Sequence, residues 1–121
     1  MWTYKNLKVY RRALDLVDVV EDMTARFPEH EKYEMGRQMR RATESISMNI
    51  SEGSLRRTSV DFISFLHNSL GSSGEMETAV AIVDKKGYLK EVEKDKLLKE
   101  LDEIKKMLYG LIKWVRGKGV K

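Results

Sequence analysis

The chain is predicted to be all-α, an up-down-up-down four-helix bundle with left-handed packing, and three observations predict it. Apolar residues recur at helical spacing in four separate stretches. The stretches are parted by short connections that carry Pro28, Gly53 and Gly87. No segment alternates with the two-residue period of a strand. Charged residues make up 35% and apolar residues 41%, with a single proline, which suits one charge-covered helical domain over residues 1–121.

Helix 1 is expected over about 7–27. Val9, Ala13, Leu16, Val20, Met23 and Phe27 form its stripe, with Tyr10, Leu14 and Val17 widening it. Pro28 removes a backbone donor and disfavours helix at the residue before it. Glu29, His30 and Glu31 then read as a short acidic connection. Helix 2 is expected over 32–53, with Met35, Met39, Ala42, Ile46 and Ile50 on one stripe and Gly53 as a left-handed stop.

Helix 3 is expected over 59–86. It is capped by Thr58 or Ser59, with Asp61 placed to suit the helix dipole, and Gly87 ends it. Phe62, Phe65, Leu66, Met76, Val80 and Val83 carry its stripe. Ser69 and Ser73 interrupt that stripe with a thin waist, and Gly71 and Gly74 weaken the helix there by about 1 kcal/mol each relative to alanine. A waist of this kind suits close approach of a second helix. Helix 4, over 92–115, repeats Leu97, Leu101, Ile104, Leu108, Leu111 and Val115 as a heptad seam, before a basic tail over 116–121.

Several function classes lose their chemistry at once. The absence of cysteine removes disulfides, thiolate metal sites and cysteine nucleophiles. A di-iron bundle needs Glu-x-x-His, but Ser64 and Phe27 stand three residues before His67 and His30. No P-loop or GxGxxG occurs. The expectation is a protein that is not an enzyme, with no cofactor and no metal. The N-terminus has no signal-peptide pattern and no apolar run approaches the roughly 20 residues of a membrane span, so a cytoplasmic location is expected, without a membrane role.

A histidine phosphotransfer-like signalling domain is the one signalling alternative. Residues 67–73 place Gly71-Ser72-Ser73 in register with such a motif. Leu70, however, occupies the position of the lysine that would stabilise the phosphoryl group.

Residues 37–57 hold the most informative stretch. Beside the apolar stripe of helix 2 lies a polar strip of Gln38, Arg41, Ser45, Asn49 and Glu52. Arg41 and Glu52 stand about 16 Å apart along one helix and cannot pair with each other. Their partners are expected from another helix, with Glu75 the candidate for Arg41.

The same stretch carries a family resemblance. Arg40-Arg41-Ala42, Ser45-Ile46, Asn49-Ile50 and Glu52-Gly53 resemble the signature of the four-helix bundle proteins also known as 23S rRNA intervening-sequence, or S23, proteins. Leu7-Lys8-Val9-Tyr10 with Ala13, Phe27-Pro28 with Glu31 and Tyr33, and Phe62 with Phe65-Leu66 are similar to further family positions. So are Gly71-Ser72 with Glu75, and Lys86-Gly87-Tyr88. The resemblance covers about residues 7–90, and helix 4 matches only in its heptad pattern. Ser47 departs from a frequent proline and Ser73 from a usual apolar residue.

The resemblance implies a bacterial protein, sometimes encoded within an insertion in the 23S rRNA gene. It implies a homopentameric ring and no enzymatic activity. It also implies, from relatives in diversity-generating retroelements, an accessory to a reverse transcriptase that binds nucleic acid.

Two functions are therefore expected to compete. One is an RNA- or DNA-associated accessory or assembly factor. Its candidate phosphate contacts are Arg11, Arg12, Arg37, Arg40, Arg56, Arg57, Lys113, Arg116 and Lys118, and Trp2, Tyr4 and Trp114 are candidates for base stacking. The chain's formal charge of +4 would become +20 in a pentamer. The other is an oligomeric protein-interaction scaffold without nucleic-acid binding, held by the polar strip and Glu75.

Overall fold

A computed structural model describes residues 4–118, so Trp2 and the last three residues of the basic tail lie outside the described residues. A 3-10 turn at Tyr4–Asn6 leads into four long helices and one short one: α1 (Lys8–Ala25), α2 (Glu29–Tyr33), α3 (Met35–Ser54), α4 (Ser59–Lys85) and α5 (Glu91–Gly117). Among the described residues there is no strand.

Side-chain pairs give the direction of each neighbour. Gly53 of α3 meets Phe62 and Phe65 of α4, whereas Ser45 meets Ser72 and Thr43 meets Met76, so α3 and α4 run antiparallel. Lys94 meets Asp84 and Lys105 meets Glu77, which makes α4 and α5 antiparallel. Arg40, early in α3, reaches Thr24, late in α1. The order around the bundle is α1, α3, α4, α5, and the seam between α1 and α5 is the loosest of the four.

The main stripes of the first three long helices enter the core as the periodicity predicts, but Leu14 stays exposed and Tyr10, Val17 and Phe65 are only half-buried. Val9, Ala13, Leu16, Val20, Met23 and Phe27 are buried, as are Met39, Ile46, Ile50, Phe62, Leu66, Met76, Val80 and Val83. Each large side chain sealed in this way contributes about 1.5–3 kcal/mol relative to exposure.

Helix 5 departs from the expected seam. Ile112, not Leu111, is the buried residue, giving Leu97, Leu101, Ile104, Leu108, Ile112 and Val115. The spacing is 4-3-4-4-3 in place of 4-3-4-3-4, and Leu111 is left half-buried against the edge of the core.

Three further expectations are corrected. Residues 29–31 are not an open connection. Glu29–Tyr33 is a five-residue helix, broken from α3 at Glu34 where φ is −92° and ψ is −90°. Helix α3 accordingly starts at Met35 rather than near Lys32. Gly53 is not a left-handed stop either, because α3 runs on to Ser54 and Leu55 caps it with φ −90°. A Cβ on Gly53 would lie 2.6 Å from Cβ of Phe65, so the glycine serves close approach of α4.

Gly71 and Gly74 do not mediate such an approach, since a Cβ on either would meet nothing within 4 Å. The thin waist of α4 is made by serines instead. Ser69 and Ser73 are fully buried, and Ser69 Oγ donates to the Ile46 carbonyl of α3 at 2.8 Å.

The ends of α4 do follow the expected chemistry. The Asp61 N–H donates to Thr58 Oγ1 at 3.1 Å, an N-cap. Gly87, at φ +79°, is the only described residue with positive φ. Its N–H donates to Asp84 and that of Tyr88 to Val83, the paired bonds of a Schellman ending.

Candidate functional surfaces: a basic end, a polar strip and a buried carboxylate

The antiparallel layout gathers the start of α1, the end of α3, the start of α4 and the end of α5 at one end of the bundle. Arg11, Arg56, Arg57, Lys113, Arg116 and Lys118 are all exposed there. Lys5 and Lys8, which sequence reasoning passed over, join them as exposed cations. Only the antiparallel placement of α1 beside α3 could have identified those two. The acids in these segments are Glu52, which pairs with Arg56 at 2.8 Å, and Asp61. Arg56 also lies 4.5 Å from the Phe65 ring centroid, so packing on an aromatic face orients its guanidinium.

Aromatic rings border this end. Trp114 is 49% exposed, with Lys118 Nζ 5.0 Å from its ring centroid. Tyr4 meets Tyr10 edge-on at 5.0 Å and is half-buried.

The structure separates the remaining cations from this group. Arg12 turns toward α5, where its Nε and one terminal nitrogen donate to the two carboxylate oxygens of Glu100, both at 2.8 Å. This forked bond holds the Glu100 carboxyl below its ordinary pKa, against the opposing effect of its burial. Arg37 and Arg40 lie at the opposite end of the bundle. Arg37 is exposed, whereas Arg40 is half-buried and donates to Thr24 Oγ1 at 3.1 Å and to the Lys32 carbonyl at 3.2 Å. Its hydrogen bonds tie α3 to α1 and to the end of α2.

The polar strip of α3 divides into satisfied and open parts. Asn49 donates to the Ser45 carbonyl and hydroxyl within its own helix. Ser45 is joined to α4 by the Ser72 hydroxyl at 2.8 Å, the interhelical contact that the strip was expected to need. Glu52 is satisfied locally by Arg56. Gln38 and Arg41 are exposed, and among the described residues Arg41 makes no ion pair with Glu75. Both line a shallow depression of about 680 Å³ between α3 and α4, together with Ala42, Gly74 and Ala79.

A buried carboxylate is the feature that the sequence concealed. Glu31 retains 4% exposure although it sits in a run of charged residues. It accepts from Lys86 Nζ at 2.6 Å and Tyr88 Oη at 3.3 Å. The bond from Lys86 is the largest influence lowering its pKa, and the backbone N–H of Met35 contributes in the same direction. Glu31 thereby ties α2 to the α4–α5 turn. In the sequence its charged neighbours mask it, and only the short helix Glu29–Tyr33 turns Glu31 inward.

His67 is exposed on α4, while Leu70 packs partly into the core. Among the described residues no group of three or more His, Asp or Glu could hold a metal ion. No helix among them is long and apolar enough to cross a membrane.

Comparison with known proteins extends the resemblance into α5. The sequence model of the 23S rRNA-intervening sequence proteins matches residues 5–110. The fold is similar to the crystal structure of a protein of unknown function from the S23 ribosomal protein family of Bacteroides thetaiotaomicron. The TM-score is 0.80 at 24% sequence identity, over 87% of this chain and 98% of that one. None of the curated proteins matches the chain. With the family pattern spanning most of its length, the chain belongs to the 23S rRNA-intervening sequence protein family.

Proposed function

We propose that this is a non-enzymatic bacterial protein of the cytoplasm that binds the phosphate backbone of RNA or DNA end-on, as an accessory or assembly factor. The observation that carries the reading is the collection of eight exposed cations at one end of the bundle, against Glu52 and Asp61 alone in the same segments. A net charge of +4 spread evenly would create little local potential. Concentrated at one end it attracts a polyanion and releases its counterions. Trp114 offers a partly open ring at the border of that end for stacking on an unpaired base.

A second reading is favoured by a separate surface. Gly71 and Gly74 each weaken α4, yet among the described residues nothing occupies the space that a side chain would fill. Arg41 and Glu75 lie open beside them. These features support self-association through the α3–α4 face, and the family resemblance makes a homopentamer the expected form. A scaffold of this kind needs no nucleic acid, although the two roles are compatible. A reverse transcriptase is the protein partner that the resemblance suggests.

Fluorescence anisotropy with labelled structured RNA, duplex DNA and single-stranded DNA across a salt series tests the first reading. Binding should weaken steeply with salt, and Arg57→Glu with Arg116→Glu should reduce it at least tenfold at low salt. Absence of binding at low salt, or indifference to both substitutions, overturns it. Light scattering tests the second: a monomer at micromolar concentration overturns the homopentamer.

A further inference from the structure

The basic end of the bundle continues along the outer side of α5. Residues 104–121 hold six lysines or arginines and no acid. Lys105 is committed to Glu77 and Lys106 to Asp102. Lys113, Arg116 and Lys118 are exposed, and among the described residues none of the three forms an ion pair. The flanking segments add little opposing charge, since residues 1–14 contain no acid and α4 has none between Asp61 and Glu75. Within α5 the acids nearest to this stretch are Asp102 and Glu103, about two turns before Tyr109.

Two aromatic rings stand on this same surface. Tyr109 is 59% exposed and Trp114 is 49% exposed. They are five residues apart, which separates them by about 140° around the helix and about 7.5 Å along it. Gly110 and Lys113 fall in the arc between them. A Cβ on Gly110 would meet nothing within 4 Å, so bare backbone lies between the two rings. Lys118 Nζ sits 5.0 Å from the Trp114 ring centroid, and a phosphate drawn to that cation arrives beside the ring.

We propose that the outer face of the last three turns of α5 binds single-stranded nucleic acid in preference to duplex. Unpaired bases stack on Tyr109 and Trp114, and phosphates meet Lys113, Arg116 and Lys118. The inference rests on the phosphate-binding reading and adds to it the form of nucleic acid that is selected. A single strand offers a flat face from every base to an exposed ring, whatever the sequence. A duplex keeps those faces stacked inside and presents only its backbone and grooves. Rings that project beside Lys113 then add no contact to a duplex and hold its backbone away from the cation.

The test titrates the full chain with one labelled strand of about sixteen nucleotides in three forms: single, annealed to its complement, and abasic. RNA and DNA versions of the strand are compared. The single strand should bind about tenfold more tightly than the duplex or the abasic strand. Tyr109→Ala with Trp114→Ala should erase that preference and leave the weaker, salt-sensitive binding common to all three forms. Lys113→Ala should weaken every form and reduce the dependence on salt. In a Trp2→Phe background, Trp114 fluorescence should be quenched by the single strand and unchanged by the abasic strand. That measurement needs no substitution at either ring, and thermal unfolding confirms that each variant is folded.

Equal affinity for the three forms, tighter binding of the duplex, or a single-strand preference that survives loss of both rings overturns this inference. Each of those outcomes leaves phosphate binding at the basic end standing. No binding of any form at low salt overturns both, so the two failures are distinguishable.

Discussion

The α3–α4 seam and the α1–α5 seam of this bundle solve the same packing problem with different side chains. At α3–α4, Gly53, Ser69 and Ser72 are small enough for the helices to approach closely, and Ser69 bonds directly to a backbone carbonyl of the other helix. At α1–α5, long arginine and glutamate side chains span a groove. Close contact yields dispersion and exclusion of water over the length of a seam, whereas a surface ion pair contributes about 0–1 kcal/mol. The α3–α4 pair is therefore expected to be the stable half of the molecule, and α1–α5 the half that opens first.

The largest effect expected from breaking this contrast is at Phe62. It is fully buried against Gly53, and Phe62→Ala should cost about 3–5 kcal/mol in chemical denaturation. Gly53→Val comes next, at about 1–3 kcal/mol, because its Cβ would collide with Cβ of Phe65 and the two helices would have to part.

Gly71→Ala and Gly74→Ala act in the opposite direction. Each should stabilise the isolated chain by about 1 kcal/mol, since the added methyl meets nothing. If copies meet on this face, the same double variant should weaken their association, measured by light scattering, while raising the melting temperature of the monomer.

The smallest effect is expected at the looser seam. Arg12→Gln should change global stability by less than about 1 kcal/mol while increasing hydrogen exchange along α1.

Acid should distinguish the seams as well. The carboxyls of Glu93 and Glu100 are held below their ordinary pKa chiefly by bonds from Arg26 and Arg12, and that of Glu31 chiefly by Lys86. A group whose pKa falls on folding stabilises the fold fully above its unfolded value. That contribution is lost as pH drops through the lower, folded value. Protonation below the ordinary glutamate range should thus loosen α1–α5 and release α2, with the serine contacts of α3–α4 unaffected. Glu100→Gln should flatten the acid limb of α1 protection in hydrogen exchange, and an unchanged limb would count against the ion pair as its cause.

Much of this architecture was already present in the apolar pattern. The four long helices, the Thr58 cap and the Gly87 ending follow from spacing and local backbone chemistry, which act within a few residues. Sequence by itself also determined the family, because its signature concentrates in α3 where helix periodicity and close packing constrain neighbouring positions together. What it could not determine were relationships between helices. Gly53 had a plausible role as a stop until Phe65 was placed against it. Whether Leu111 or Ile112 turned inward depended on how α5 sits against its neighbours, and Ile112 is the buried one.

The candidate surfaces divide along the same line. Cationic residues were legible one by one, but their sorting was decided by the tertiary structure. It gathered Arg11, Arg56, Arg57, Lys113, Arg116 and Lys118 at one end, and committed Arg12 to Glu100 and Arg40 to Thr24. It buried Glu31 beneath Lys86 and left Arg41 and Glu75 open. The physical reason is range: helix propensity and periodicity are local, whereas which charge faces which depends on the tilt and offset of whole helices.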